Sequence, residues 1–271
     1  MADRIPLLWP ARSEHSPLDL RLLQKQFIDR VEAASGKPVI LQSDSTIAGH
    51  AMIKVAASGQ AAHVLLYKPE QESVLPYLVA YQCEFALRTI LAEPGTQFDL
   101  VAKPNMLAEI LELMRRHHEG RNEIPASAVP QLAKRFGDGL GFQLRSMPVT
   151  LRIDRLLHEA HPELMELQRE SLDRQLQENM GALSPRAKEL APMEIIRPNA
   201  SMNSAFAKFY AGLWNAPMIV APYIAAGYGD VSSALLALNE QIPADSGHDR
   251  QLVDAWAKQT GLDRWFETKD R

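Results

Sequence analysis

The sequence predicts an α+β fold, with a small sheet and packed helices in the front half and a mainly helical half behind it. Two observations carry this. Between residues 38 and 67, short apolar runs alternate with turn residues in the manner of strands. From about Lys103 onward, apolar residues recur at three- and four-residue steps, the period of an amphipathic helix. The chain has 271 residues, without a repeat, a low-complexity tract or a long linker. The simplest organisation is an irregular arm over 1–17, an α+β region over 18–102 and a helical region over 103–271 that shares one core with it.

Each element has a local reason. Met1 to Pro17 bears prolines and charges without apolar period. Leu18 to Ala34 carries Leu20, Leu22, Leu23, Phe27, Val31 and Ala34 at near-helical spacing, and Gly36 ends it. Pro38 to Gln42 is a short Val-Ile-Leu run bounded by turn residues, which predicts a strand. His50 to Val55 and His63 to Tyr67 flank Ala56-Ala57-Ser58-Gly59-Gln60, a hairpin pattern with a glycine in its turn. Val74 to Leu91 is helical and stops before Pro94-Gly95. Further helices are predicted over Met106 to His118, Val129 to Leu144, Val149 to Ala160 and Glu163 to Leu183. Gly137-Asp138-Gly139-Leu140-Gly141 breaks or kinks one of them, since it lacks the Lys-Ser/Thr of a phosphate loop and follows no strand. Ser184-Pro185 opens a helix, with Ser as N-cap and Pro at the first helical position. Ala191 to Gln241 is poor in charge and rich in proline, which predicts short buried helices joined by turns. Asp249 to Thr260 forms a last helix, after which Trp265 and Phe266 dock the C-terminus.

Composition excludes several classes. Hydrophobic residues make up 46% and charged residues 23%, as in ordinary globular proteins. A net charge of -4 gives no electrostatic footprint for nucleic acid. No apolar run approaches the length needed to cross a bilayer, and Met1 to Pro10 has no secretory pattern. The single Cys83 cannot form an intramolecular disulfide, which fits a reducing compartment and makes cytoplasm the expected location. The oligomeric state is not legible.

The stretch that carries most information is the Val74 to Leu91 helix. The hairpin ends in His63-Val64-Leu65-Leu66-Tyr67-Lys68-Pro69. A short acidic loop and Tyr77-Leu78-Val79-Ala80 follow, and Ala86-Leu87-Arg88 comes just beyond. This arrangement resembles the ImmA/IrrE-type zinc metallopeptidases, whose helix reads Ala-His-Glu-x-x-His and then an apolar-apolar-Arg run. Pro148 to Asp154 and Glu166 to Leu172 resemble extended bacterial proteins that carry the domain. The resemblance covers about residues 20 to 95 and implies a zincin-like front half. In H-E-x-x-H helices two histidines at i and i+4 hold zinc and the glutamate is the general base. Here Tyr81, Gln82 and Phe85 occupy those three positions. A carboxamide cannot take a proton from a metal-bound water. The family's chemistry is therefore not expected, and neither a metal nor another cofactor is implied. Asp154 stands by context as the remnant of the family's third, acidic ligand. The resemblance implies a catalytically inactive regulator or scaffold that binds a protein partner in a stress, mobile-element or phage-related setting.

The same helix also suits an ordinary core element, in which Tyr81 and Phe85 are i, i+4 contacts, Cys83 is a small buried hydrophobe and Glu84 faces solvent. A second class of reading is an enzyme with a relocated site. Asp154, His158 and His161 follow one another at steps of four and three, spacing that suits metal ligands or a helix end. A third is a structural subunit of a larger assembly, if Ala191 to Gln241 exposes apolar surface. The adjacent His117 and His118 suit a helix C-terminus, and His50 and His63 are candidates to oppose each other across the hairpin. Cys83 has no glycine turn, helix N-terminus or adjacent base to activate it. Asn199 to Ser204 reads as a polar cluster capping a helix that starts at Ala205.

Overall fold

The computed structural model describes residues 17–47, 49–120 and 124–271. The arm expected over 1–17 lies outside them, apart from Pro17, which opens a helix. The fold is α+β, with two small sheets amid ten helices among the described residues. Helix α1 (Pro17–Ser35) leads into β1 (Val39–Ser43), β2 (Ala51–Lys54) and β3 (His63–Tyr67). The strand order is β1-β3-β2, with β3 parallel to β1 and antiparallel to β2. The predicted hairpin is therefore present, and β2 is left at an edge. Helix α2 (Leu75–Ile90) packs on α1 and on β2.

A fourth strand, β4 (Phe98–Ala102), precedes α3 (Met106–His118) and pairs antiparallel with the last strand, β5 (Phe266–Asp270). Neither strand is marked by sequence pattern. The pair fastens the C-terminal end to the front half, and Trp265 and Phe266 are buried beside it. Residues from both halves enter one hydrophobic cluster, from Phe27 and Val31 through Leu144 and Tyr210 to Trp256.

The rear half corrects several expectations. Helix α4 (Val129–Ala160) is one 32-residue helix where two were predicted, and it runs straight through Pro148. Proline removes one ladder hydrogen bond. Here burial of Leu144, Met147, Val149 and Leu151 on all sides holds the helix together across it. The glycines near its start do not break it. A Cβ on Gly141 would lie 2.8 Å from the Phe266 ring, and one on Gly137 would lie 2.8 Å from Met106 Sδ. They are glycine because α3 and β5 pack against the helix backbone there. Helices α5 (Met165–Asn179) and α6 (Pro185–Leu190) follow, and Ser184 caps α6 by accepting from Ala187 N as predicted. Helix α7 (Met193–Leu213) is a 21-residue helix through Pro198, not a short one starting at Ala205. Asn199 to Ser204 lies in its interior and caps nothing. Helices α8 (Ala221–Ala225), α9 (Gly229–Gln241) and α10 (Asp249–Thr260) complete the fold. No described helix is long and apolar enough to cross a membrane.

A cleft between α2, the edge of β2, α4 and α5

Helices α2 and α4 run antiparallel, and their facing side chains meet in three successive one-turn steps. The Tyr77 hydroxyl donates to Asp154 Oδ1 at 2.7 Å. The Tyr81 and Thr150 hydroxyls lie 2.6 Å apart. The Arg145 guanidinium stands 5.2 Å from the centroid of the Phe85 ring. Steps of four on α2, and of four then five on α4, produce this ladder, because residues about one turn apart share a face.

Asp154 is wholly buried. Besides Tyr77 it receives the Tyr210 hydroxyl and, at 3.3 Å, Gln168 Nε2. Burial pushes its carboxyl up to about 6, against the opposing effect of the three donors. Burial, then the charge of Asp154, raises the Tyr77 and Tyr210 hydroxyls well above the usual tyrosine range, so both stay protonated donors. Thr150 donates to the Ser146 carbonyl at 2.9 Å, which leaves Tyr81 as donor to Thr150. Ser146 in turn donates to the Phe142 carbonyl at 2.8 Å. The hydroxyls of this face are thus committed to structural bonds.

Gln82 is turned the other way, onto the sheet. Its Oε1 accepts from Ile53 N at 3.0 Å and its Nε2 donates to the Ala51 carbonyl at 2.9 Å. In an antiparallel ladder alternate residues point their backbone groups outward. His50 pairs with Lys68 through the Lys68 N–H, so Ala51 and Ile53 are the outward pair of β2. The carboxamide therefore bonds the sheet edge as a neighbouring peptide group would. Gln82 is not a failed base in the cleft but a side-chain cap on an edge strand.

Between these elements lies a cavity of about 360 Å³, walled by Ile53, Tyr81, Phe85, Phe142 and Met147 among others. The Phe142 ring at its rim is 45% exposed. His50 Nε2 contacts the Glu178 carboxylate at 3.3 Å within the lining. Two lining amides have buried atoms without a hydrogen-bond partner: Gln143 Oε1, an acceptor, and Asn179 Nδ2, a donor. Arg145 also lines the cavity, held between Phe85 and the Phe98 ring at 4.3 Å.

The residues singled out from sequence fare unevenly. Tyr81, Gln82 and Phe85 all line the cleft, but Phe85 is only partly buried. Asp154 does face α2, yet it meets Tyr77, one turn before the expected pair. A metal shared between α2 and Asp154 would need ligands at positions 77 and 81 rather than 81 and 85. Glu84 does not face solvent: it is buried and paired with Arg30 at 2.5 Å. Cys83 is buried, and desolvation pushes its thiol up to about 12, far from a thiolate nucleophile.

Asp154, His158 and His161 do not converge. His158 Nδ1 lies 3.3 Å from Gln168 Oε1, and His161 lies 3.3 Å from Glu163. Among the described residues no three His, Cys, Asp or Glu side chains are grouped to hold a metal ion. His117 and His118 do sit at the end of α3, where their rings contact the Glu189 and Leu190 carbonyls. His50 and His63 are not opposite: the register places Ala51 against Tyr67 and Lys54 against Val64. His63 is instead buried, with its Nδ1 accepting from Ala56 N at 3.0 Å. That fixes Nε2 as the protonated nitrogen toward Ser35, so this imidazole cannot take the Ser35 proton. Sequence reading missed Tyr77, Gln143, Arg145 and Asn179; only the four-residue step from Tyr77 to Tyr81 could have flagged one of them.

Compared with protein-family models, curated proteins and solved structures, the chain matches none.

Proposed function

We propose that this chain is a non-catalytic, metallopeptidase-like protein that binds a segment of a partner protein in the cleft between α2, β2, α4 and α5. The observation that carries the reading is the cleft itself: largely apolar walls with a buried acceptor on Gln143 and a buried donor on Asn179, both without partners. Buried polar atoms are nearly always bonded. A donor and an acceptor left open in one cavity suit the N–H and C=O of a peptide group. The positions that would carry peptidase chemistry hold a hydroxyl bonded to Thr150, a carboxamide bonded to β2 and a phenyl ring under a guanidinium. The resemblance of α2 to a zinc-peptidase helix extends the proposal to a regulator or scaffold in a stress, mobile-element or phage-related system.

The test is selection of random phage-displayed peptides on the immobilised protein, repeated on Ser146→Trp, whose indole fills the cavity. A shared set of peptides lost on Ser146→Trp is the expected result. Enrichment of the same peptides on both proteins, with both folded by circular dichroism, would overturn the reading.

A second reading, a subunit of an assembly, draws on one observation. The charge-poor segment expected to be buried is so through most of α7 and at Tyr223 and Leu235, but Met218 is 79% and Ile224 54% exposed. Sedimentation of the protein alone over a concentration series tests it: self-association lost in Met218→Lys supports it, and a monomer throughout removes self-assembly.

A further inference from the structure

The cation in the cleft wall has no partner. Among the described residues Arg145 makes no hydrogen bond or ion pair; its contacts are the faces of Phe85 and Phe98. Desolvation lowers its basicity, while Asp249 and Asp99 oppose this only through space. Arg145 is half-buried, so its donors stay open toward the cavity while no acceptor among the described residues meets them.

The neighbouring charges leave it uncompensated. Asp249 is the buried carboxylate on that side, and it is already taken. It accepts from Arg88 Nε at 2.7 Å and Nη2 at 2.6 Å, and from Arg152 Nη1 at 3.2 Å. Asp99 is held by Arg271 at 3.6 Å. Glu178, the acid that lines the cleft, contacts His50. Three guanidinium groups therefore surround one buried acid, and Arg145 is the one that reaches the cavity. The Phe85 and Phe98 rings hold the guanidinium carbon at 5.2 and 4.3 Å from their centroids, which limits where its donors can sit before any ligand arrives.

We propose that Arg145 recognises the side-chain carboxylate of an Asp or Glu in the partner segment, and so that the cleft selects acidic, otherwise apolar peptides. A guanidinium fork matches a carboxylate with two parallel hydrogen bonds, and the open amides of Gln143 and Asn179 suit the adjacent main chain. Phe85 then has a use at the position where a zinc helix carries histidine: it carries the arginine. This inference rests on the cleft being a peptide site.

The experiment scores the composition of the peptides selected on the wild-type protein, then measures their affinity as N-acetylated, C-amidated synthetic peptides. Expected is Asp or Glu at one fixed position, with at least tenfold weaker binding when it becomes Asn or Gln. Arg145→Met should abolish that difference, and Arg145→Lys should keep part of it. Cleft-dependent peptides without an acidic position would overturn the inference and leave the peptide-binding reading standing. Absence of any cleft-dependent peptide would overturn both. Tighter binding only when the C-terminus is left free would show that the arginine reads a terminal carboxylate and would also refute the proposal. Because acid enrichment is read on the wild type, the outcome does not depend on the variants folding.

Discussion

Ile53 gives its backbone N–H to Gln82 across the edge of β2, and the same carboxamide returns a proton to the Ala51 carbonyl. One side chain thereby satisfies two of the outward groups of an edge strand. The interaction requires a donor and an acceptor on the same residue. Glutamine meets that requirement, and neither glutamate nor leucine does.

Gln82→Glu should therefore destabilise the fold, because a carboxylate placed against the Ala51 carbonyl has no proton to give. The expected cost is about 1–3 kcal/mol, the penalty for leaving a buried group unsatisfied, and Gln82→Leu should cost a similar amount. Urea titration measures both. A Gln82→Glu protein as stable as the wild type at pH 7 would show that the edge is solvated without this residue.

Asp154 predicts a pH dependence with a definite sign. Its carboxyl titrates near 3.8 when unperturbed and at about 6 in the fold. Between those values the folded chain keeps a proton that the unfolded chain releases, so stability falls as pH rises from about 4 to about 6 and then levels. At 1.36 kcal/mol per pKa unit the change is roughly 3 kcal/mol. Asp154→Asn cannot titrate, so the wild-type minus variant difference should move by this amount over that window. A difference that stays constant from pH 4 to pH 7 would contradict the assignment.

Phe85 is a partly buried wall of the cleft and not a core residue. Phe85→Ala should cost less than the roughly 3–5 kcal/mol typical of a buried phenylalanine. Phe27→Ala, at a ring that is 2% exposed, should cost the full amount. Parallel denaturant titrations give the ranking, and equal costs would place Phe85 in the core after all.

The metallopeptidase-like proposal has its own test. Tyr77→His with Tyr81→His puts two imidazoles one turn apart beside Asp154, a three-ligand set. Tyr81→His with Phe85→His puts the second imidazole under Arg145, whose charge opposes a cation. Zinc should raise the melting temperature of the first double variant, by stabilisation of about 2.7 kcal/mol at a hundredfold excess over Kd. It should do less for the second. No zinc effect on either would refute the metallopeptidase-like proposal.

Much of the fold was legible because local chemistry decides it. Apolar spacing placed α1, α2, α3 and α10, Ser184-Pro185 marked the start of α6, and the turn around Gly59 marked the β2–β3 hairpin. The errors share a cause. Pro148 and Pro198 read as breaks, yet both lie inside long helices whose burial outweighs one lost hydrogen bond. The glycines of α4 read as a kink, yet Gly137 and Gly141 mark where α3 and β5 touch the helix backbone. Strands β4 and β5 are some 160 residues apart, and each becomes a strand only by pairing with the other.

The sequence by itself determined that positions 81, 82 and 85 of α2 carry neither an imidazole nor a carboxylate, because that depends only on which side chains stand there. The tertiary structure alone decided what those side chains do instead. Gln82 bonds a strand, Tyr81 bonds Thr150, and Phe85 carries Arg145. Asp154 meets Tyr77, so the shared face is one turn away from where the motif alone would put it. A helical sequence states which residues share a face. Which face is turned to which neighbour, and at what height, follows from packing against β2 and α4, and no local pattern encodes that.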